Sequence, residues 1–197
     1  MIALASTSIT RAAMLTVAGV SFAVHAPLVD EEAIKAGLIA DGAGFVQIAD
    51  VLAETKALKV SRRLPGMLVL GADQVLVTID GAVLDKPIDR AAAEQQLRRL
   101  AGSEHRLVAA AVIAENGEAV WRASDSARLT MRALSDRFIV DYLDREGDAV
   151  LGCVGTYRIE GLGAQLFTRV SGDPFVIQGL PLLAVLDYLR TRSELLS

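Results

Sequence analysis

The sequence contains very few cysteine, histidine and aromatic residues. One cysteine, Cys153, and two histidines are too few for an intrachain disulfide or for the common kinds of zinc site. Phe, Trp and Tyr make up only 5% of the chain, so stacking surfaces for single-stranded nucleic acid are scarce. The longest apolar run, residues 107–114, has eight members, whereas a membrane-spanning helix needs about 20.

Positive charge is not in excess either. The 20 Lys and Arg residues are outnumbered by 24 Asp and Glu residues, which gives a formal net charge of −4. An acidic chain lacks the broad basic surface that nucleic-acid binding uses. With 52% apolar and 22% charged residues, the composition is that of a folded globular protein. No basic segment precedes an apolar stretch at the start, so we expect no signal peptide and a cytoplasmic location.

The spacing of apolar residues predicts a mixture of strands and helices along the whole chain. Strands are expected at residues 2–5 and 21–26 and on both sides of the turn Asn116-Gly117. Residues 67–77 are expected to form either a strand pair or one long strand interrupted at Asp73-Gln74. Helices are expected at residues 10–18, 45–63, 91–100, 136–143 and 182–192. Residues 27–44 are expected to form a loop with at most a short helix. Because no linker parts the chain, one α/β domain with a mixed sheet over residues 1–197 is predicted.

Three places carry polar residues that break the local pattern, and the first lies between a predicted strand and a predicted helix. It reads Ser6-Thr7-Ser8-Ile9-Thr10-Arg11. A helix N-terminus presents unpaired N–H groups and the positive end of the helix dipole, so hydroxyls and an arginine there suit a phosphate. The alternative is that Ser8 or Thr10 only caps the helix.

The second place is Lys56, which lies within an apolar stripe of a predicted helix. A charge there must extend to solvent along its own alkyl chain, form an ion pair, or face a ligand. The stripe has helical spacing and consists of Ala49, Leu52, Ala53, Ala57 and Val60.

The third place is Asp73, which is expected to end a buried strand, where α/β sheets expose catalytic groups; the alternative is a turn cap. Lys86 follows a turn near that edge and is otherwise a solvated loop lysine.

Asp30-Glu31-Glu32 can hold a divalent cation or remain solvated. His25 and His105 have no partner at metal-ligand spacing and are expected to be structural, and Asp125 interrupts the apolar face of a predicted strand without an evident function.

Taken in order along the chain, these segments resemble the Maf family, the septum-formation-inhibitor-like nucleotide pyrophosphatases. Any one motif is weak, but seven occur in the family's order over nearly the whole chain. They are Leu4-Ala5-Ser6-Thr7-Ser8 with Arg11, Val29-Asp30-Glu31, Leu52-Ala53-Glu54-Thr55-Lys56-Ala57, Gly71-Ala72-Asp73, Leu84-Asp85-Lys86-Pro87, Leu100-Ala101-Gly102 with His105, and Gly179-Leu180-Pro181-Leu182.

The resemblance implies both a fold and a reaction. The fold would be similar to that of the inosine-triphosphate pyrophosphatases, an elongated mixed sheet with flanking helices and two lobes around a cleft. The reaction would be metal-dependent (Mg²⁺ or Mn²⁺) hydrolysis of a nucleoside triphosphate to monophosphate and pyrophosphate, which removes unwanted nucleotides from the pool. The resemblance implies Asp73 as proton acceptor, Glu31 and Asp73 as metal ligands, and Ser8, Arg11, Lys56 and Lys86 as triphosphate ligands. Such a site relies on positioning and charge neutralisation.

Positions that separate the family's branches indicate the base. The chain has Ile9-Thr10 where the family has Pro-Arg, so one cation of the usual pair is missing. Gln74 and Glu160 resemble the 7-methyl-GTP branch, which usually has Trp where this chain has Thr10. One carboxylate can accept from the two adjacent N–H groups on the pairing edge of guanine, whereas uracil and thymine place carbonyls there. Glu160 therefore favours a guanine-type base, without the cation–π partner that a tryptophan would give a methylated one.

Two alternatives to an enzyme remain at this stage. The missing cation and the family's septum association are compatible with a nucleotide-binding regulator of cell division that has lost catalysis. A plain α/β interaction domain would require every break in pattern to be coincidental. The resemblance leaves open whether the protein forms a homodimer, as family members often do, and it implies no nucleic-acid or membrane partner.

Overall fold

The structure, a computed structural model, describes residues 1–196. Its strands are β1 (Ile2–Ala5), β2 (Phe22–Val24), β3 (Val69–Thr78), β4 (Val83–Leu84), β5 (Glu104–Glu115), β6 (Glu118–Met131) and β7 (Phe167–Ser171). Its α-helices are α1 (Ile9–Val17), α2 (Glu31–Ala40), α3 (Phe45–Ser61), α4 (Arg90–Leu100), α5 (Asp136–Glu146), α6 (Pro174–Ile177) and α7 (Leu182–Thr191). Within residues 1–196, no helix combines the length and the apolar character needed to cross a membrane.

The strands form one seven-stranded mixed sheet in the order β2-β1-β3-β5-β6-β7, with β4 paired to β3. Strand β1 is parallel to both β2 and β3, whereas β3 and β4, and β6 and β7, are antiparallel. Strands β5 and β6 are joined through Asn116 and Gly117, both with positive φ, as a tight hairpin turn requires. The α/β class and the mixed sheet predicted from the sequence are confirmed.

The chain forms two compact units, and the division falls within β3, β5 and β6. The first unit contains Met1–Gln74, Val108–Asp125 and the chain from Pro174 onward, and the second contains Val75–Leu107 and Ser126–Asp173. The second unit holds β4, α4, α5, β7 and two short 3-10 segments, Gly147–Gly152 and Leu162–Leu166. Helices α4 and α5 pack together there, with buried residues that include Leu97, Leu100, Ile139 and Leu143.

In the first unit, β1 is covered on both faces. Ile2 and Leu4 belong to a core shared with α1 and α7, whereas Ala3 and Ala5 pack with Val60 of α3. Successive side chains of a strand point to opposite faces, so large residues face α1 and α7 and small residues face α3. This difference in size allows α3 to lie close to the sheet.

Glycine at position 71 brings α3 still closer. A Cβ atom there would lie 2.3 Å from the Ala53 carbonyl oxygen and 2.7 Å from the Ala57 nitrogen, distances that no real side chain tolerates. Because side chains alternate along β3, Gly71 and Asp73 share the face toward α3, and Gln74 lies on the opposite face. The Gly-Ala-Asp motif therefore combines a close contact with a carboxylate two residues further on.

Two predictions about the elements are wrong. Residues 27–44 are not mainly loop, since α2 spans ten residues of the segment. None of those ten residues is fully buried, and an acidic start with an internal glycine is also typical of a loop. Asp73 does not end its strand either, because β3 continues to Thr78 and pairs with β4 at Leu76 and Val77. The expected strands and helices elsewhere are present, with ends that differ by a few residues.

Candidate active site

The centre of the candidate site is a buried ion-pair triad. The Lys56 ammonium donates to Asp73 Oδ1 at 2.5 Å and to Glu31 Oε2 at 2.7 Å. Lys56 is 4% exposed and Asp73 6%, whereas the Glu31 side chain is 43% exposed. Of the three explanations for a lysine in an apolar stripe, the ion pair is therefore confirmed. Glu31 gives the triad one side that solvent reaches.

Asp73 lies inside a strand, just beyond the end of the neighbouring strand β1. Strand β1 ends at Ala5, which pairs with Gly71, so β3 runs on past its neighbour and Asp73 lies two residues beyond the last pair. The segment that leaves β1 begins at Ser6. The strand end that the sequence suggested is therefore that of β1 and not of β3, and the carboxyl end of a parallel strand is where α/β folds place their chemistry.

The segment after β1 combines a helix cap with an arginine. Ser8 is the N-cap of α1, and its hydroxyl accepts from the Arg11 nitrogen at 3.3 Å. The Ser8 nitrogen donates to Ser6 Oγ at 3.2 Å, and Arg11 Nη1 donates to the same oxygen at 3.3 Å. Ser8 thus caps α1, which does not exclude a contact with phosphate, while Thr10 is a half-buried residue of the first turn of α1 and does not cap it.

Arg11 and Lys35 are the other cations near the triad. Burial lowers the pKa of the Arg11 guanidinium, and the charges of Asp73 and Glu31 oppose that shift. Burial also lowers the pKa of the Lys35 ammonium, again against Asp73 and Glu31. Sequence reasoning missed Lys35. It lies one turn after Glu31 on α2, on the same face, a relation that exists only in a helix and that a loop prediction for residues 27–44 does not contain.

The end of α6 and the two residues that follow it contact Arg11 and Gln74. Arg11 Nε donates to the Gly179 carbonyl at 2.8 Å, and Gln74 Nε2 donates to the carbonyls of Val176 and Ile177 at 2.8 and 3.0 Å. This segment, residues 176–179, is called the clamp segment below. The sequence contains the motif that begins at Gly179, but nothing in the sequence connects this motif to Arg11 or Gln74. The contacts of the clamp segment with these two residues each span more than 100 positions.

Two predicted site residues, Lys86 and Glu160, belong to the second unit. Lys86 is exposed and follows β4. The Glu160 carboxylate lies 3.5 Å from Arg158 Nε, and Arg158 also lies 3.6 Å from the buried Glu146 carboxylate. Burial raises the pKa of the Cys153 thiol, as does Glu160, whereas Arg158 and Lys86 lower it. Glu160, Arg158 and Lys86 therefore lie within electrostatic reach of Cys153.

The remaining candidates are resolved by their contacts. Asp30 caps α2 by accepting from the Ala33 nitrogen at 3.0 Å, and Glu32 is exposed. Of the acidic run Asp30-Glu31-Glu32, Glu31 is the residue that pairs with Lys56. His105 is buried, and its Nε2 lies 2.7 Å from the Tyr157 hydroxyl. Asp125 interrupts the apolar face of β6 where the strand is exposed to solvent.

Two members of the triad, Glu31 and Asp73, carry carboxylate oxygens of the kind that a divalent cation takes as ligands. Among residues 1–196, no group of three or more His, Cys, Asp or Glu side chains is arranged to hold a metal ion. Mg²⁺, however, is usually held by one or two carboxylates together with substrate phosphates and water. Glu31 and Asp73 supply two carboxylates that meet at one point, the Lys56 ammonium. They fit a cation that a bound triphosphate also coordinates.

A family assignment follows from comparison with known proteins. The sequence pattern of the Maf family, described as Maf-like protein, matches residues 1–192. The chain belongs to the Maf family, as the order of its motifs indicated. It is 49% identical over 192 residues to the nucleoside triphosphate pyrophosphatase of Paramagnetospirillum magneticum, and the match covers 98% of each chain.

Other relatives are similarly close. The nucleoside triphosphate pyrophosphatase of Sphingopyxis alaskensis is 50% identical over 187 residues, which are 95% of this chain and 94% of that one. The protein of the same name from Caulobacter vibrioides is 45% identical over 194 residues, which are 98% and 96% of the two chains.

Proposed function

We propose that this protein hydrolyses a nucleoside triphosphate to the monophosphate and pyrophosphate. The observation that carries the proposal is the buried Lys56 paired with both Asp73 and Glu31, near Arg11 and the hydroxyls that follow β1. Full-length relatives at 45–50% identity that carry the name nucleoside triphosphate pyrophosphatase support the same reaction.

In the proposed reaction the residues of the triad have two kinds of role, proton transfer and charge neutralisation. Asp73 accepts the proton of the attacking water, which adds to the α-phosphorus while the bond to the bridging oxygen of pyrophosphate breaks. Lys56 fixes the direction of the Asp73 carboxylate, because its ammonium donates to Oδ1 at 2.5 Å. Ser8, Arg11 and Lys86 bind the phosphates; Lys56 adds positive charge near them.

Metal dependence is part of the proposal. Glu31 and Asp73 would hold Mg²⁺ or Mn²⁺ together with the phosphates. A bound divalent cation polarises the phosphoryl oxygen and lowers the pKa of water.

The base is proposed to be guanine or 7-methylguanine. Glu160 would accept from the two N–H groups on the guanine pairing edge. The carboxylate forms an ion pair with Arg158 at 3.5 Å. Thr10 lacks the aromatic face that would favour a cationic methylated base through a cation–π contact of about 0.5–2 kcal/mol, so Thr10→Trp should increase the preference for 7-methyl-GTP over GTP.

Pyrophosphate release from a panel of nucleoside triphosphates, with Mg²⁺, Mn²⁺ or EDTA, tests the reaction. We expect metal-dependent turnover that Asp73→Asn reduces at least about 100-fold, while Asp50→Asn, which removes a carboxylate of α3 paired with Arg122, retains it. Turnover of no triphosphate, or full activity of Asp73→Asn, would contradict the proposal. Nucleotide binding without turnover would favour the cell-division regulator instead.

A separate substitution tests the proposed base. Glu160→Gln replaces a carboxylate that accepts twice with an amide that both donates and accepts. The ratio of kcat/KM for GTP to that for UTP should fall about tenfold, with similar stability of the folded protein. An unchanged ratio would show that Glu160 does not contact the base.

A further inference from the structure

We propose that Gln74 is a positioning residue that holds the clamp segment against Arg11, so that it acts on phosphate binding and does not recognise the base. The inference rests on the proposed function, because it assigns Arg11 to the triphosphate. It changes the role expected from the sequence, where Gln74 is one of the positions that separate substrate branches.

The first observation is that Gln74 uses its amide hydrogens within the protein. Its Nε2 donates to Val176 O at 2.8 Å and to Ile177 O at 3.0 Å, and a primary amide has two such hydrogens. Val176 and Ile177 end the four-residue helix α6, whose last carbonyls need partners from outside the helix. The opposite orientation of the amide would place Oε1 against two carbonyl oxygens, so the hydrogen-bond network fixes the assignment.

The second observation is that the clamp segment passes from Gln74 directly to Arg11. Gly179 has a φ of +96°, which favours glycine, and its carbonyl accepts from Arg11 Nε at 2.8 Å. A Cβ atom on Gly179 would lie 3.3 Å from Arg11 Nη2 and 3.5 Å from Gln74 Oε1. The two side chains therefore flank the same backbone position.

The third observation is that Arg11 is held from two sides. Ser6 Oγ accepts from Nη1 at 3.3 Å, and the Gly179 carbonyl accepts from Nε. A guanidinium has five N–H donors in one plane, so two contacts fix that plane and leave donors for an anion. If Gln74 releases the clamp segment, the Gly179 carbonyl moves and Arg11 loses one of the two contacts.

Inorganic tripolyphosphate tests this role because it contains the phosphates without a base. Its binding is measured by calorimetry with Mg²⁺ for the full-length wild type, Gln74→Glu and Gln74→Met. Gln74→Glu sets an oxygen against the two carbonyls, and Gln74→Met removes the donors without adding charge. We expect both variants to bind tripolyphosphate about tenfold more weakly. The KM of every nucleotide should rise by a similar factor with the ratio between bases unchanged.

Gln47→Glu is the matched control. Gln47 is exposed on α3 and lies outside the clamp segment, so the variant adds the same charge without removing a contact to that segment, and its Kd for tripolyphosphate should stay within about twofold. In an Arg11→Ala background, Gln74→Met should cause no further loss, because the effect passes through Arg11.

Three results would overturn the inference. One is wild-type affinity for tripolyphosphate in both Gln74 variants. If the ratio of kcat/KM between nucleotides with different bases also changed, Gln74 would be a base-recognition residue. Another is full additivity with Arg11→Ala. The third is a wild type that does not bind tripolyphosphate at all. A wild type that binds tripolyphosphate but hydrolyses no nucleotide would instead refute the proposed function and leave this test in force.

Discussion

At the scale of single residues, Lys56 shows how a charge can be tolerated in an apolar stripe. Desolvating an ammonium costs several kcal/mol, and the charge is tolerated only where partners compensate. Asp73 and Glu31 do so at 2.5 and 2.7 Å. The three residues come from three elements, α3, β3 and the start of α2. Lys56 therefore holds two carboxylates near each other that would otherwise repel.

Replacing Lys56 with methionine should destabilise the fold as well as the site. Lys56→Met leaves the Asp73 carboxylate buried without its partner, and we expect the free energy of unfolding to fall by about 3 kcal/mol. Lys59→Met is the control on the same helix. Lys59 is exposed and donates to the Leu28 carbonyl, so its loss should cost no more than about 1 kcal/mol. Urea titration of both variants measures the difference, and equal losses would contradict a stabilising role for the ion pair.

At the scale of elements, the approach of α3 to β3 sets the geometry of the triad. Gly71 allows the contact, since its Cα faces the backbone of Ala53 and Ala57, the residue after Lys56. A helix held further from the sheet would carry Lys56 away from Asp73. The glycine and the aspartate of one motif thus have separate functions, the first in packing and the second in chemistry.

Gly71→Ala tests the effect of this contact. The added methyl would overlap the α3 backbone, and we expect a loss of about 1–3 kcal/mol in the free energy of unfolding together with a clear fall in turnover. Gly37→Ala is the matched control, because Gly37 lies in α2 with no atom within 4 Å of the new Cβ position. Alanine there should stabilise the protein by about 0.5–1 kcal/mol. Similar losses in both variants would refute the packing role.

The elements also show which parts of the fold can be predicted from the sequence. Helices α3, α4 and α7 and the β5–β6 hairpin were predicted because each buries one face or has a recognisable turn. Helix α2 was missed because its polar, acidic and glycine-containing segment has the composition of a loop, and none of its ten residues is fully buried. The sequence predicts that Asp73 ends β3, whereas Asp73 lies beyond the end of β1. The end of β1 can be located only when the pairing of Ala5 with Gly71 is known.

At the scale of the whole molecule, the net charge does not reveal that several cationic side chains lie close together. The net charge of −4 argues against a broad anionic ligand, yet Arg11, Lys35 and Lys56 lie within electrostatic reach of Asp73 and Glu31. The family pattern identified Arg11 and Lys56, because both lie in recognisable motifs. The clamp segment and Lys35 could not be predicted, since they reach the site through contacts between distant parts of the chain or through an unpredicted helix.

The stability of the protein should depend on pH through His105. Burial lowers the pKa of His105 to about 4 from its usual 6.5, so the unfolded chain takes up a proton at a higher pH than the folded one. Stability is therefore fully present above pH 6.5 and is lost as the pH falls toward 4. The loss for this one group is up to about 3 kcal/mol.

Urea titrations at several pH values between 7 and 4 measure the contribution of His105. In His105→Phe, which keeps a ring beside Tyr157 and Phe167, the decline toward low pH should become shallower by as much as about 1.4 kcal/mol per pH unit. Tyr157→Phe removes the hydrogen bond to Nε2 but keeps the histidine buried, so it should retain the wild-type slope. A slope unchanged by His105→Phe would refute the role of this histidine, and a slope lost in Tyr157→Phe would assign the shift to the hydrogen bond and not to burial.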